Sequence, residues 1–113
     1  MDNKPYFRHF VVEIEASFEE ADSLEWIKTI SNKFIEKLGI KVINSVEHRF
    51  QPQGISLLYI ISSSHMAIHT WPENNYIHIE LITCSQDIEL EKIKTIIEEM
   101  LSNRKYNLLN IGY

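Results

Sequence analysis

Cysteine is almost missing from this chain, and Cys84 is the only one. A lone thiol rules out an intramolecular disulfide and the usual multi-cysteine metal site, which leaves it packing or reactivity as a role. Basic clusters are missing as well. The 11 Lys and Arg are scattered among 16 Asp and Glu, for a net charge of -5. That removes the electrostatic footprint of a nucleic-acid binder and leaves ordinary solubility as the meaning of the charge. No apolar run approaches membrane-spanning length, and Met1–Pro5 lacks the basic-then-apolar pattern of a secretory leader. A cytoplasmic protein with no nucleic-acid or membrane partner is expected. Repeats, low-complexity tracts and linkers are absent too, with 3 Gly and 3 Pro in 113 residues, so one domain spanning 1–113 is predicted. A chain of this length builds a core, but oligomerisation would help its stability.

What is present falls into short, patterned segments. Aromatic and β-branched residues dominate from Tyr6 to Glu15 and predict a strand. Leu24, Ile27, Ile30, Phe34 and Leu38 recur at helical spacing, giving a helix that Asp22 or Ser23 caps and Gly39 ends. Lys41 to Phe50 and Ile55 to Ser63 read as strands around a turn at Gln51–Gly54, with residues 65–70 extending or restarting the second. From Tyr76 to Cys84 the residues alternate, with Ile77, Ile79 and Leu81 on one face and Tyr76, His78, Glu80 and Cys84 on the other. A final helix is predicted from Ile88 to Ser102, striped by Leu90, Ile93, Ile97 and Met100 and capped by Asp87, before a short strand over Leu108–Ile111. The order β-α-β-β-β-α-β predicts an α+β two-layer sandwich, an antiparallel sheet with two helices on one face. The other face of that sheet calls for a partner.

Hydroxyls, imidazoles and a carboxylate crowd into Ser62–Glu73, which otherwise reads as strand, and the following strand ends on Cys84. A purely structural strand has no need of them, so a site built from serine, histidine and cysteine is inferred. His65 and His69 lie four apart, but a third metal ligand at a recognisable spacing is lacking, so no metal is assigned. The glycine-flanked nucleophile elbow of a Ser-His-Asp hydrolase is lacking as well. Strand-end hydroxyls at Ser62–Ser64 that bond the backbone, and Cys84 as a small buried hydrophobe, are the bland alternatives.

Arg8-His9, His48-Arg49-Phe50, Pro52, Gly54, Ser56, Ser64-His65, Ile68-His69-Thr70-Trp71-Pro72-Glu73, Tyr76 and Thr83-Cys84 follow one another over nearly the whole chain. In that order and spacing the chain resembles the small prokaryotic S-adenosylmethionine decarboxylases, which make their own pyruvoyl cofactor by cutting themselves at an internal serine. The resemblance implies cleavage between Ser63 and Ser64 into pieces 1–63 and 64–113. Ser64 would attack the Ser63 carbonyl, and elimination from the resulting ester would leave the pyruvoyl group. It further implies Ser56 and His69 as processing residues and Cys84 as the acid that protonates the substrate carbanion. The ketone would condense with the amine of S-adenosylmethionine and act as electron sink, giving the aminopropyl donor for spermidine synthesis. Adenine would stack between Phe50 and His69, with the ribose hydroxyls on Glu73. A dimer in which uncovered sheet faces meet, an αββα stack, is implied too. In an ideal strand Ser64 and His69 point to opposite faces, so the backbone is expected to bend there or to be freed by cleavage. The chain also departs from the family pattern. Ser63 stands in place of the usual glutamate, Tyr76-Ile77-His78-Ile79-Glu80 in place of Tyr-Ala-Ala-Val-Asp, and Ser85 in place of glycine. His78 and Glu80 keep open decarboxylation of a basic amino acid such as arginine or ornithine, and Ser63 keeps open an uncleaved regulatory paralogue.

Overall fold

A computed structural model describes residues 1–112. Its strands are β1 (Arg8–Glu15), β2 (Val42–Arg49), β3 (Ile55–Ile61), β4 (Ser64–Trp71), β5 (Tyr76–Thr83) and β6 (Tyr106–Ile111). They form one sheet in the order β2-β3-β4-β5-β1-β6, with every neighbouring pair antiparallel. The helices are α1 (Phe18–Ala21), α2 (Leu24–Leu38) and α3 (Leu90–Met100), and a single 3-10 turn covers Pro72–Asn74.

Strand alternation decides the layers. Phe10, Val12 and Ile14 of β1, Leu57 and Tyr59 of β3, Met66 and Ile68 of β4 and Ile77, Ile79 and Leu81 of β5 point the same way. They pack with Ile27, Phe34 and Leu38 of α2 and Ile93 and Ile97 of α3 in one core. Each such side chain, fully buried, contributes about 1.5–3 kcal/mol. The helices thus cover one face of the sheet, which is the α+β two-layer arrangement the pattern predicted. Among the described residues no helix lies over the opposite face. The register lines up His48, Ser56, His69, His78, Glu13 and Asn107 as one row across it, and Val46, Leu58, Ala67, Glu80, Val11 and Leu109 as the next. Val46 and Ile60 on this face are 61% and 56% exposed, a large apolar area left in water for a chain this small.

Several local expectations need correction. Of the two readings of residues 65–70, the restart holds and the extension does not: they belong to a separate strand, because Ser62 and Ser63 turn the chain and Ile61 pairs back onto Ser64. Ser23 rather than Asp22 caps α2, accepting from the Trp26 N–H at 3.1 Å, and Gly39 closes that helix at φ 71° as expected. Asp87 does not cap α3. Glu89 holds the cap position without a side-chain bond, and the helix stops at Met100, short of Ser102. The extra helix α1 exists because Ser17 and Glu20 form a reciprocal capping box. β1 starts at Arg8 rather than Tyr6, whereas β6 starts at Tyr106, earlier than predicted, where it pairs with Ile14. Cys84 falls just beyond β5 and is exposed, so it is no buried hydrophobe.

Candidate active site

The hairpin joining β3 and β4 turns on two serines. Two-residue hairpin loops favour turns with positive φ at their central residues, which glycine or asparagine supplies. Ser62 and Ser63 do not adopt it. Instead the positive φ, 139°, falls on the next residue, Ser64. A side-chain-bearing residue in that region carries strain of about 1–3 kcal/mol. The peptide bond feeding Ser64 is polarised as well, since the Cys84 N–H donates to the Ser63 carbonyl oxygen at 2.8 Å. A fixed N–H aimed at a carbonyl draws electron density from its carbon and would hold the negative charge of a tetrahedral adduct. On the same residue, the Thr83 hydroxyl donates to the Ser63 hydroxyl at 2.9 Å.

The opposite end of β4 is built quite differently. There Ser56 Oγ and His69 Nδ1 lie 2.6 Å apart across the β3–β4 pair. Phe50 reaches this neighbourhood on a tightly tied loop. Its N–H donates to the Gly54 carbonyl at 2.9 Å, and the Gly54 N–H donates to Asp22 Oδ1 at 3.0 Å. The Arg49 guanidinium donates twice to the Asp22 carbonyl. Gly54 has φ 109°, where a side chain would be strained, and the Ile55 N–H beside it donates to the Thr70 hydroxyl at 3.0 Å. Phe50, Ser56, His69, Trp71 and Glu73 together line a cleft of about 400 Å³. Glu73 enters it from the 3-10 turn that Pro72 begins. Wider hollows around Asn103, Arg104 and Lys105 hold none of the expected site residues.

His78 and Glu80 lie on the open face as the alternation predicted, and both are already engaged. Tyr76 donates its hydroxyl proton to Glu13 at 2.7 Å, while His78 Nδ1 sits 2.8 Å from the same oxygen. Burial, followed by the hydrogen bond and charge of Glu13, pushes the Tyr76 phenol up to about 12. Its single proton therefore stays directed at Glu13, and His78 must donate from Nδ1. Glu80 bridges two imidazoles, His9 at 3.0 Å and His65 at 3.3 Å. Burial acts to raise the Glu80 carboxyl, but the hydrogen bonds and charges of His65 and His9 outweigh it and hold it below the usual range.

The expected residues thus gather in two places. Phe50, Ser56, His69 and Glu73 share the cleft, while Ser63, Ser64 and Cys84 meet at the hairpin. Ser64 and His69 are five residues apart on one continuous strand, roughly 16 Å at 3.3 Å per residue. The expected bend is a local reversal of φ at Ser64 and does not bring the two together. Asp22, read only as a possible helix cap, Thr83, quoted only within the Thr83-Cys84 motif, and the Cys84 N–H are contributors to which the sequence assigned no role in the site.

Comparison with known proteins sets this geometry in context. The profile of the S-adenosylmethionine decarboxylase family matches residues 8–112. The chain is 36% identical over 104 residues to the S-adenosylmethionine decarboxylase proenzyme of Clostridium botulinum strain Langeland, covering 91% of this chain and 90% of that protein. It is 34% identical to the proenzyme of the same name from Thermosipho africanus, covering 90% of this chain and 79% of that one. Among solved structures, the adenosylmethionine decarboxylase of Aquifex aeolicus superposes with a TM-score of 0.72 at 22% identity, covering 97% of this chain and 93% of the other.

Proposed function

Because the chain belongs to the S-adenosylmethionine decarboxylase family, we propose that it cuts its own backbone between Ser63 and Ser64 and then decarboxylates S-adenosylmethionine. The observation that carries this reading is the donation of the Cys84 N–H to the Ser63 carbonyl, next to the strained φ of Ser64. Ser64 Oγ adds to the Ser63 carbonyl carbon, the C–N bond breaks, and the freed amine takes up the hydroxyl proton, which leaves an ester. The acyl shift relieves the strain at Ser64, and the Cys84 N–H stabilises the adduct on the way. Removal of the residue 64 α-proton then expels the Ser63 carboxylate. Hydrolysis of the resulting dehydroalanine releases ammonia and leaves a pyruvoyl group at position 64.

The surroundings fit that group. Residue 64 is exposed at a strand end, and Cys84, whose N–H donates to the neighbouring Ser63 carbonyl, is exposed too. The pyruvoyl carbonyl supplies the electron sink for loss of carbon dioxide. Cys84 holds the proton that the product carbon must receive, Phe50 and His69 bracket the adenine, and Glu73 accepts from the ribose hydroxyls. The engagement of Glu80 by two histidines speaks against its serving as the counter-ion of a free basic amino acid. Decarboxylated S-adenosylmethionine is the aminopropyl donor for spermidine synthesis. A cytoplasmic location suits a thiol acid that must stay reduced. Among the described residues no helix is long and apolar enough to cross a membrane.

One chain holds only halves of a site, and this supports a homodimer. A two-fold axis through the open face near Ala67, midway along β4, would exchange the two ends of that strand. The Ser64–Cys84 end of one copy would then face the Ser56–His69 cleft of the other, and Val46, Leu58 and Ile60 would be buried between them. The test is an intact mass spectrum before and after hydroxylamine treatment, paired with carbon dioxide release from S-adenosylmethionine, arginine and ornithine. Pieces 1–63 and 64–113, the second reactive, with release from S-adenosylmethionine alone, are expected. An unreactive full-length mass after long incubation would overturn the reading.

A further inference from the structure

Three serines in a row offer three hydroxyls, each positioned in sequence to attack the carbonyl before it, and acyl shift at any of them would be balanced in the same way. We infer that Thr83 selects the bond that is cut, by tying down the Ser63 hydroxyl so that Ser64 alone reacts. This rests on the self-cleavage reading and goes beyond it, because family membership does not specify how one serine of the run is chosen.

Thr83 is fully buried, and its backbone is locked between Arg8 of β1 and Ser64 of β4. Its hydroxyl oxygen accepts the Ser85 N–H at 3.1 Å and donates its own proton to Ser63 Oγ at 2.9 Å. Ser63 Oγ therefore accepts a hydrogen bond that lowers its nucleophilicity and tethers its side chain to β5. Ser62 is restrained at its amide, which donates to the Lys41 carbonyl at 2.9 Å and fixes the 61–62 peptide against β2. Ser64 differs on each count. Its hydroxyl carries no hydrogen bond among the described residues, its backbone is strained, and the carbonyl it would attack is the one that Cys84 polarises. The same short segment, Thr83 to Ser85, thus blocks one nucleophile through a side chain and activates the electrophile for the next through a backbone N–H. Where this chain has Ser63 a competing hydroxyl exists, and Thr83 is the residue that bonds it.

The experiment is intact mass spectrometry of wild type, Thr83→Val and Thr83→Ser, each purified as the full chain and incubated to completion. Wild type should give a single pair, 1–63 and 64–113. Thr83→Val preserves shape but not the donor, and it should add a second pair, 1–62 and 63–113, with a share raised roughly fivefold or more by loss of one hydrogen bond. Thr83→Ser should return the single pair. A Thr83→Val chain that folds by circular dichroism and cuts only at 63–64 overturns the inference. Should that variant not fold, Ser64→Ala with Thr83 intact decides: a whole chain supports the inference, and a cut at 62–63 overturns it. A wild-type chain that never cuts would instead sink the self-cleavage reading itself.

Discussion

The two ends of β4 face opposite demands and are built in opposite ways. At the Ser64 end a glycine-free two-residue turn forces the backbone out of its comfortable range and leaves the strain on one residue. At the His69 end strain is confined to Gly54, which tolerates it, and side-chain bonds from Asp22 and Thr70 hold the loop in place. In the proposed mechanism one end changes covalently, once, while the other meets the same ligand repeatedly and is held still. On that reading a single strand carries a spent-once device and a reusable one, about five residues apart.

The largest expected effect removes one end outright. Ser64→Ala should remain whole and inactive, while His69→Ala should be cut about a hundredfold or more slowly. Co-expression of the two then tests whether the ends cooperate across copies. The His69→Ala chain should be cut at near normal speed, with its partner left whole, both followed by mass; absence of rescue would place both functions within one chain. Cys84→Ser separates the two proposed roles of that residue. Its backbone N–H survives, so cleavage should proceed, but steady-state decarboxylation should fall about a hundredfold and decay with turnover. Loss of cleavage in this variant would mean the thiol itself takes part in processing.

Asp22→Ala probes the rigid end. It frees the Gly54 N–H and should raise KM for S-adenosylmethionine roughly fivefold to tenfold in the processed enzyme, with kcat nearly unchanged. An equal fall in kcat would assign the loop to the chemistry rather than to binding. The smallest effect lies outside the comparison and serves as its control. Glu20 is held at about 2, first by hydrogen bonds from Arg104, against an ordinary value of 4.5. A carboxyl depressed in the folded state adds stability that is fully present above about pH 4.5 and is lost as pH falls toward 2. Since the pair is partly exposed, Glu20→Gln should cost about 1 kcal/mol at pH 7 and flatten the acid limb of urea denaturation midpoints. An unchanged acid limb would show that the pair contributes nothing measurable.

The fold was legible where periodicity was strong. The stripe from Leu24 to Leu38 and the alternation from Tyr76 to Leu81 stand in the structure as read. Ser17-x-x-Glu20 was a capping box in plain view, but the four-residue helix it starts is too short to show a period. Asp87 looked like a cap, yet its N–H instead meets the Ser85 hydroxyl, at a long 3.4 Å. For the site, residue types pointed to serine, histidine and cysteine chemistry, and Phe50, Ser56, His69 and Glu73 do line one cleft. Its division could not be read from a list of residues, because the distance from Ser64 to His69 matters only once both are known to lie on one unbroken strand. Backbone contributions such as the Cys84 N–H carry no residue-type signature at all.

The strand order has a consequence for the proposed cut between Ser63 and Ser64. Piece 1–63 would own β1, β2 and β3, and piece 64–113 would own β4, β5 and β6, yet in the sheet β1 is inserted between β5 and β6. The pieces are interleaved like fingers of clasped hands. Pulling them apart means stripping β3 from β4 and withdrawing β1 from both its neighbours, three ladders at once. A backbone broken there would therefore leave the sheet whole, and one chain would persist as two that have no easy route to separate.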